Sequence, residues 1–129
     1  MSASDLLACE AAMNTLSRAV GGFFTGFDVL LTPTLAQPPI PLGVLDANAP
    51  GLDTFEFLDR CFQLSPFCAD FNMTGNPAMS VPLHTSDDGL PIGMQFVGRY
   101  GDEATLFRLA GQLEQAAPWA DRRPPVCAG

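Results

Sequence analysis

The apolar residues near the start of the chain fall on a helical stripe. Leu6, Cys9, Met13, Leu16, Val20 and Phe23 recur at steps of three and four, the spacing that lines one side of an α-helix. Ser2 and Asp5 stand three apart at its beginning, a short capping box. Gly26 is the expected terminator, and the stripe is expected to pack as core. The pattern then changes. Val29 to Leu31 is an unbroken apolar run that ends at Pro33, as in strands covered on both faces. Pro33, Pro38, Pro39 and Pro41 forbid regular hydrogen bonding beyond it. The segment to about Pro50 reads as a loop. It is expected to pack, because Leu35, Ile40, Leu42 and Val44 are too apolar for a spacer.

Asp53 and Glu56, three apart, mark the start of a second helix. Phe55, Leu58 and Phe62 lie along one side of it, and Phe57, Cys61 and Leu64 along another. A helix apolar on two sides is expected to be buried between partners. The stretch "CADFNMTGNPA" reads as a loop. Met79, Val81 and Leu83 then alternate with Ser80, Pro82 and His84; Ile92, Met94 and Phe96 alternate with Gly93, Gln95 and Val97. Period two predicts two strands. "TSDDGLP" between them carries the Asp and Gly that a tight reversal needs, centred on Gly89. Pro82 predicts an edge strand or a bulge. A last helix begins at Asp102, buries a stripe of Leu106, Leu109 and Leu113 with Phe107 and Ala110, and closes at Pro118. Residues 119–129 read as a tail draped over the surface or loose.

Composition narrows the function classes. The 129 residues suffice for one domain, and 47% apolar content allows a core. The formal charge of −8 argues against nucleic acid and anionic membranes as partners. No apolar run approaches the ~20 residues of a membrane span. All the basic residues are arginines (Arg18, Arg60, Arg99, Arg108, Arg122, Arg123); the chain contains no lysine. Cys9, Cys61, Cys68 and Cys127 form no C-x-x-C pair, and His84 is the single histidine. No metal site and no cofactor are expected. The first residues lack a basic region followed by an apolar one, so reduced thiols in a cytoplasmic setting are expected.

Each candidate for chemistry has a structural counterpart. Asp88 to Phe107 runs strand, glycine loop, helix, the order of many phosphate sites. Its glycines do not fit G-x-G-x-x-G, and the helix opens on Asp102 and Glu103. Carboxylates there satisfy the free N–H groups and repel a phosphate, so a self-capped turn is expected. His84 has no nucleophile near it in sequence, and Asp87 and Asp88 belong to the turn. Asp53, Glu56 and Asp59 read as a solvated helix edge. Cys61 and Cys68 lack an evident base and read as buried thiols. In "FNMTGNPAMSVPL", Gly75 is expected to serve either a positive φ or a close backbone approach, and Asn76 is expected in extended backbone before Pro77. A tightly packed turn or a pocket wall is the expectation there.

Three stretches in this order, "FDVLLTPT", "FNMTGNPAMSVPL" and "DGLPIGMQFVGRYGDEATLFRLAGQLEQ", resemble the C-terminal portion of the amidase signature family. The resemblance implies an α/β fold: the C-terminal part of an α/β/α architecture, a mixed sheet with a β-hairpin and flanking helices. It makes residues 1–129 an incomplete portion of one amidase domain. It also implies hydrolysis of amide carbon–nitrogen bonds by a serine nucleophile, relayed through a second serine to a lysine. None of that triad can be placed on this chain: no residue is assigned as catalytic, and substrate-binding residues are unassigned. Asn76, Pro77, Gly89, Gly93 and Asp102 carry over as structural motif positions.

The resulting expectation is a C-terminal segment of an amidase-type hydrolase that completes the sheet and part of the pocket without being catalytic itself. Its partner would be the N-terminal amidase core, or a second copy through an exposed sheet edge, with a small amide as substrate of the full enzyme. The alternative is a stand-alone binding or structural module derived from an amidase. Catalysis by His84 or a cysteine is a third reading.

Overall fold

A computed structural model describes residues 2–124 and 126, so Cys127 lies outside the described residues. The order is α1 (Ala3–Phe23), β1 (Val29–Pro33), α2 (Thr54–Leu64), α3 (Ala69–Thr74), β2 (Ala78–Thr85), β3 (Pro91–Gly98) and α4 (Glu103–Ala116). The strands form a three-stranded sheet in the order β1-β3-β2. Both pairings are antiparallel, so this portion of the expected mixed sheet holds no parallel pair. The hairpin turns at Gly89, whose φ is +81° and whose N–H donates to Ser86 O at 2.9 Å. The ladder between β2 and β3 slips between Val81 and His84, at Pro82. A residue without an N–H is tolerated there, on an edge strand and at a bulge.

Register sorts the sheet into two faces. Leu31, Phe96 and Met79 lie across from one another on one of them, as do Met94 and Val81. α4 covers this face. Val81, Phe96 and Leu106 form the buried cluster, with Val29, Met79, Leu83, Met94, Leu109, Leu113 and Trp119 packed around it. On the opposite face Leu30, Val97 and Ala78 align, followed by Thr32, Gln95 and Ser80. The segment leading into α3 lies over this side, and α1 packs against α3. Both faces of β3 are therefore covered at its C-terminal end. Val97 is 0% exposed; burying a valine side chain contributes about 1.5–3 kcal/mol.

Several expectations need correction. The α1 stripe is not core. No residue of α1 is buried, and only Leu16 and Val20 of the stripe are half-buried, because the element packed against it is the six-residue α3. α1 ends at Phe23, three residues before Gly26, with the Phe24 N–H bonded to Val20 O at 3.2 Å. β1 is not covered on both faces along its length, since Leu31 is 53% exposed. α2 buries one side only. Phe57, Cys61 and Leu64 are half-buried, whereas Phe55 is 79% and Phe62 54% exposed. In the proline-rich loop Leu35 and Ile40 pack, but Leu42 and Val44 are exposed. Phe107, expected in the buried stripe of α4, is 77% exposed, because the sheet meets the side of the helix that carries Leu106, Leu109 and Leu113. Ala69–Thr74, expected as loop, is the short helix α3.

The caps behave more simply. The Asp5 N–H donates to Ser2 Oγ at 3.2 Å and the Ser2 N–H to Asp5 Oδ2 at 2.6 Å. The two bonds make a complete capping box. Asp53 sits at the N-cap of α2 but makes no side-chain cap bond. At the start of the tail, Trp119 packs on the core cluster and Arg122 Nη1 donates to Pro82 O at 2.9 Å.

Candidate functional site

The chemistry-bearing side chains gather around two places: the Asn76–Pro77 turn, and the β1 side of β3. The turn begins where α3 stops. Gly75 caps α3 in the left-handed region, φ +73°, the conformation that glycine adopts without Cβ strain. Thr74 Oγ1 donates to Asn76 Oδ1 at 2.7 Å, and Asn76 Nδ2 donates to Gly98 O at 2.9 Å. The Gly98 N–H in turn donates to Pro77 O at 2.8 Å. Asn76 and Pro77 thus lock the end of α3 onto the exit of β3.

Past that exit, the Gly101 φ of +75° turns the chain into α4. Asp102 accepts from the Thr105 N–H at 3.3 Å and from Thr105 Oγ1 at 2.7 Å. The Thr105 hydroxyl bond, with Arg108 and Arg99 nearby, holds the Asp102 carboxyl below its ordinary value. The helix end carries its own carboxylate, whose charge repels a phosphate. Gly98 has a steric reason for lacking a side chain: a Cβ would stand 3.3 Å from Leu106 Cγ.

The second cluster is a polar network inside the sheet face. Gln95 is 5% exposed. Its Nε2 donates to Thr32 Oγ1 at 3.1 Å and to Phe67 O at 2.9 Å, and its Oε1 accepts from Cys68 Sγ at 3.2 Å. A buried amide needs such partners, because an unmet one costs about 1–3 kcal/mol. Next to it Thr34 Oγ1 and Ser80 Oγ share a 2.6 Å hydrogen bond. That bond passes over Gly93, where a Cβ would lie 2.6 Å from Ser80 Oγ and 2.8 Å from Thr34 Oγ1. Gly93 is required by this close approach.

Three cavities border these groups. One of about 560 Å³ lies between α1 and the turn, lined by Phe24, Thr74, Asn76, Arg99 and Tyr100 among others. A second, of about 410 Å³, shares Asn76 and reaches Cys68, Ser80 and Gln95. The third, about 420 Å³, lies under the proline-rich loop against the hairpin, with Leu35, Pro38, Ile92, His84 and Asp87 in its wall.

The sequence-based candidates separate cleanly. His84 reaches the wall of the third cavity; Ser86 lines the same cavity, and its hydroxyl accepts from the Leu90 N–H in the hairpin turn at 3.1 Å. The Cys68 thiol is spent on Gln95, and the carboxylates of α2 serve the helix surface: Glu56 accepts from Arg60 at 2.6 Å and Asp59 from Gln63 at 2.7 Å. Among the described residues no serine or cysteine side chain is hydrogen-bonded to a histidine, and the one serine beside a carboxylate partner, Ser2 with Asp5, is the exposed cap of α1. No cluster of three metal-ligating side chains occurs among them either. Sequence reasoning missed Gln95, which it placed only as one position of a strand alternation. It also missed Arg99, whose guanidinium ties the end of β3 to Phe24 O at 3.1 Å and to Asp28 at 2.6 Å.

The family model named Amidase matches residues 1–107, and the chain belongs to this family. The 6-aminohexanoate-cyclic-dimer hydrolase of Paenarthrobacter ureafaciens is 41% identical over 105 residues, covering 78% of this chain and 21% of its own. A solved structure of a 6-aminohexanoate cyclic dimer hydrolase superposes with a TM-score of 0.87 at 34% identity, covering 97% of this chain and 27% of that one. A bacterial aryl acylamidase described as an amidase signature enzyme superposes at 0.69 with 27% identity, over 96% and 26%. The chain spans about a quarter of the length of the curated relatives it matches. No helix among the described residues is long and apolar enough to cross a membrane.

Proposed function

We propose that this chain is the C-terminal, non-catalytic part of an amidase-type hydrolase acting on carbon–nitrogen bonds of small amides. It completes the sheet and supplies part of the wall of the substrate pocket. One observation carries the reading: a member of the amidase family that contains no lysine cannot supply the lysine base of a serine–serine–lysine triad. Catalysis then belongs to an N-terminal amidase core, which is the proposed partner. The apolar sides of α1 and α2 left in solvent support the same division of labour, since such surface is normally covered.

Within that enzyme Asn76, Pro77, Gly89, Gly93 and Asp102 act on shape. They set the turn, the hairpin, the close strand approach and the helix start on which the cavity walls depend. Cys9, Cys61 and Cys68 are free thiols, which supports a reducing, cytoplasmic setting. The test is direct. The purified chain, incubated with 6-aminohexanoate cyclic dimer and with an aryl acylamide, should release no amine. Turnover that persists once contaminating amidases are removed would overturn the reading.

A further inference from the structure

Residues 36–64 leave the sheet after β1 and return before α3 as one closed excursion. Its ends meet: the Ala36 N–H donates to Leu64 O at 2.9 Å. It carries most of the proline-rich loop and all of α2, and among the described residues α2 packs extensively on no other helix or strand. Cavities of about 290 and 420 Å³ lie along it, with Ile40, Leu45 and Leu64 in the wall of one and Ala36, Pro38 and Ile92 in the wall of the other. The two feet are fastened differently. Thr34, at the first foot, prolongs the ladder: its N–H donates to Gly93 O at 3.0 Å and its hydroxyl shares the bond with Ser80. The second foot, residues 65–68, belongs to no strand. Among the described residues its hydrogen bonds to the sheet run through one side chain. Gln95 Nε2 donates to Phe67 O at 2.9 Å, and Gln95 Oε1 accepts from Cys68 Sγ at 3.2 Å. The Cys68 thiol also lies 3.5 Å from Thr34 O, back at the first foot.

We propose that Gln95 is a positioning residue for amide hydrolysis: by holding residues 65–68 to the sheet it fixes the tilt of the 36–64 excursion, and with it the stretch of pocket wall that the excursion supplies. The inference rests on the proposed function above, in which this chain lends wall and an N-terminal core lends catalysis. Leverage gives the size of the effect. α2 has 11 residues, about 16 Å of helix, and the foot lies at its C-terminal end. A tilt of about 10° there moves the other end by about 3 Å, and a misplacement of about 1 Å can cost on the order of a hundredfold. Gln95 suits the task because it is 5% exposed. A buried amide has no water to turn to when a partner leaves, so the bond to Phe67 O is hard to exchange. A wall meets the substrate in the ground state and the transition state alike, so its displacement is read in KM and spares kcat.

The experiment uses a chimera in which this chain replaces the matched segment of the Paenarthrobacter ureafaciens hydrolase, with KM and kcat read on 6-aminohexanoate cyclic dimer. Gln95→Met keeps the length of the side chain and drops its hydrogen bonds. It should raise KM about tenfold or more and leave kcat within about threefold. Leu109→Ala loosens the core from the α4 side of the sheet. It should lower the melting temperature at least as much and leave KM within about twofold. In the 129-residue chain alone, Gln95→Met should speed alkylation of Cys68 by iodoacetamide about fivefold, read by peptide mass, because the foot lifts and frees the thiol. Where Gln95→Met does not fold, Cys68→Ala carries the test: it removes one tie, keeps the amide, and should raise KM about threefold. An unchanged KM in the variant that folds, an unchanged alkylation rate, or an equal rise of KM in Leu109→Ala overturns the positioning role and leaves the proposed function standing. A folded chimera without activity overturns the proposed function, and the inference with it.

Discussion

Asn76 Nδ2 donates a 2.9 Å hydrogen bond to the carbonyl oxygen of Gly98, joining residues far apart in sequence at the point where β3 leaves the sheet. Replacing Asn76 by alanine removes the donor and leaves two partners, Thr74 Oγ1 and Gly98 O, unmet. A loss of about 1–3 kcal/mol is expected from urea unfolding. Asn76→Asp should cost more, because it sets a carboxylate oxygen against a carbonyl. Equal stability of Asn76→Asp and wild type would remove the turn from the account.

Gly93 offers a test by double-mutant cycle. Gly93→Ala puts a methyl group within 2.8 Å of both hydroxyls of the Thr34–Ser80 pair, and overpacking of this kind costs about 1–3 kcal/mol. Ser80→Ala clears one of the two clashes, so the cost of Gly93→Ala should shrink in that background. Additive effects in denaturant titrations would contradict the crowding shown by the structure.

Gly75 and Gly89 both have positive φ, +73° and +81°. A Cβ at Gly75 would meet the Tyr100 ring at 3.2 Å, whereas none is within 4 Å at Gly89. Tyr100 is exposed and its ring can swing away. Backbone strain should therefore dominate, and alanine at either site should cost about 1–2 kcal/mol. Thermal melts showing a far larger loss at Gly75 would mean that the ring is held.

Acid should weaken the start of α4. The Thr105 hydroxyl holds the folded Asp102 carboxyl below its ordinary value. A depressed folded value means stability that is present above the unfolded value and lost as pH falls through the folded one. The advantage of wild type over Thr105→Val should thus be full near neutrality and fade below about pH 4. Paired unfolding curves across that range would show it; an advantage that grows toward acid has the wrong sign for this cap.

The open side of α2 predicts behaviour in solution. Phe55, Leu58 and Phe62 are exposed on one side of the helix, a patch of the kind that drives association. The isolated chain should sediment as concentration-dependent oligomers, and Phe62→Glu should shift it toward monomer. A monodisperse wild-type chain at high concentration would count against an uncovered face.

Much of the architecture was legible in the residues. The Ser2–Asp5 box, the Gly89 turn, the Pro82 bulge and the Asp102 cap each depend on residues a few positions apart. Period-two alternation located both hairpin strands, and three motifs identified the family. Gln95 was not legible. The alternation placed it on a strand, and only the segment at Phe67–Cys68 folding over that face turns it into a buried, hydrogen-bonded amide. α3 escaped notice because six residues ending in Gly75 carry too little periodicity to register.

By itself, then, the sequence determined the local elements, their caps and turns, the family, and the absence of a lysine base. These follow from propensity, spacing and side-chain chemistry, which act over short range. The tertiary structure alone decided which apolar stripes are core. Similar periodicity runs along α1, α2 and α4, yet only α4 meets a sheet face that buries one of its leucines completely. Burial belongs to the pair of surfaces that meet, and a stripe carries no record of whether its partner is present.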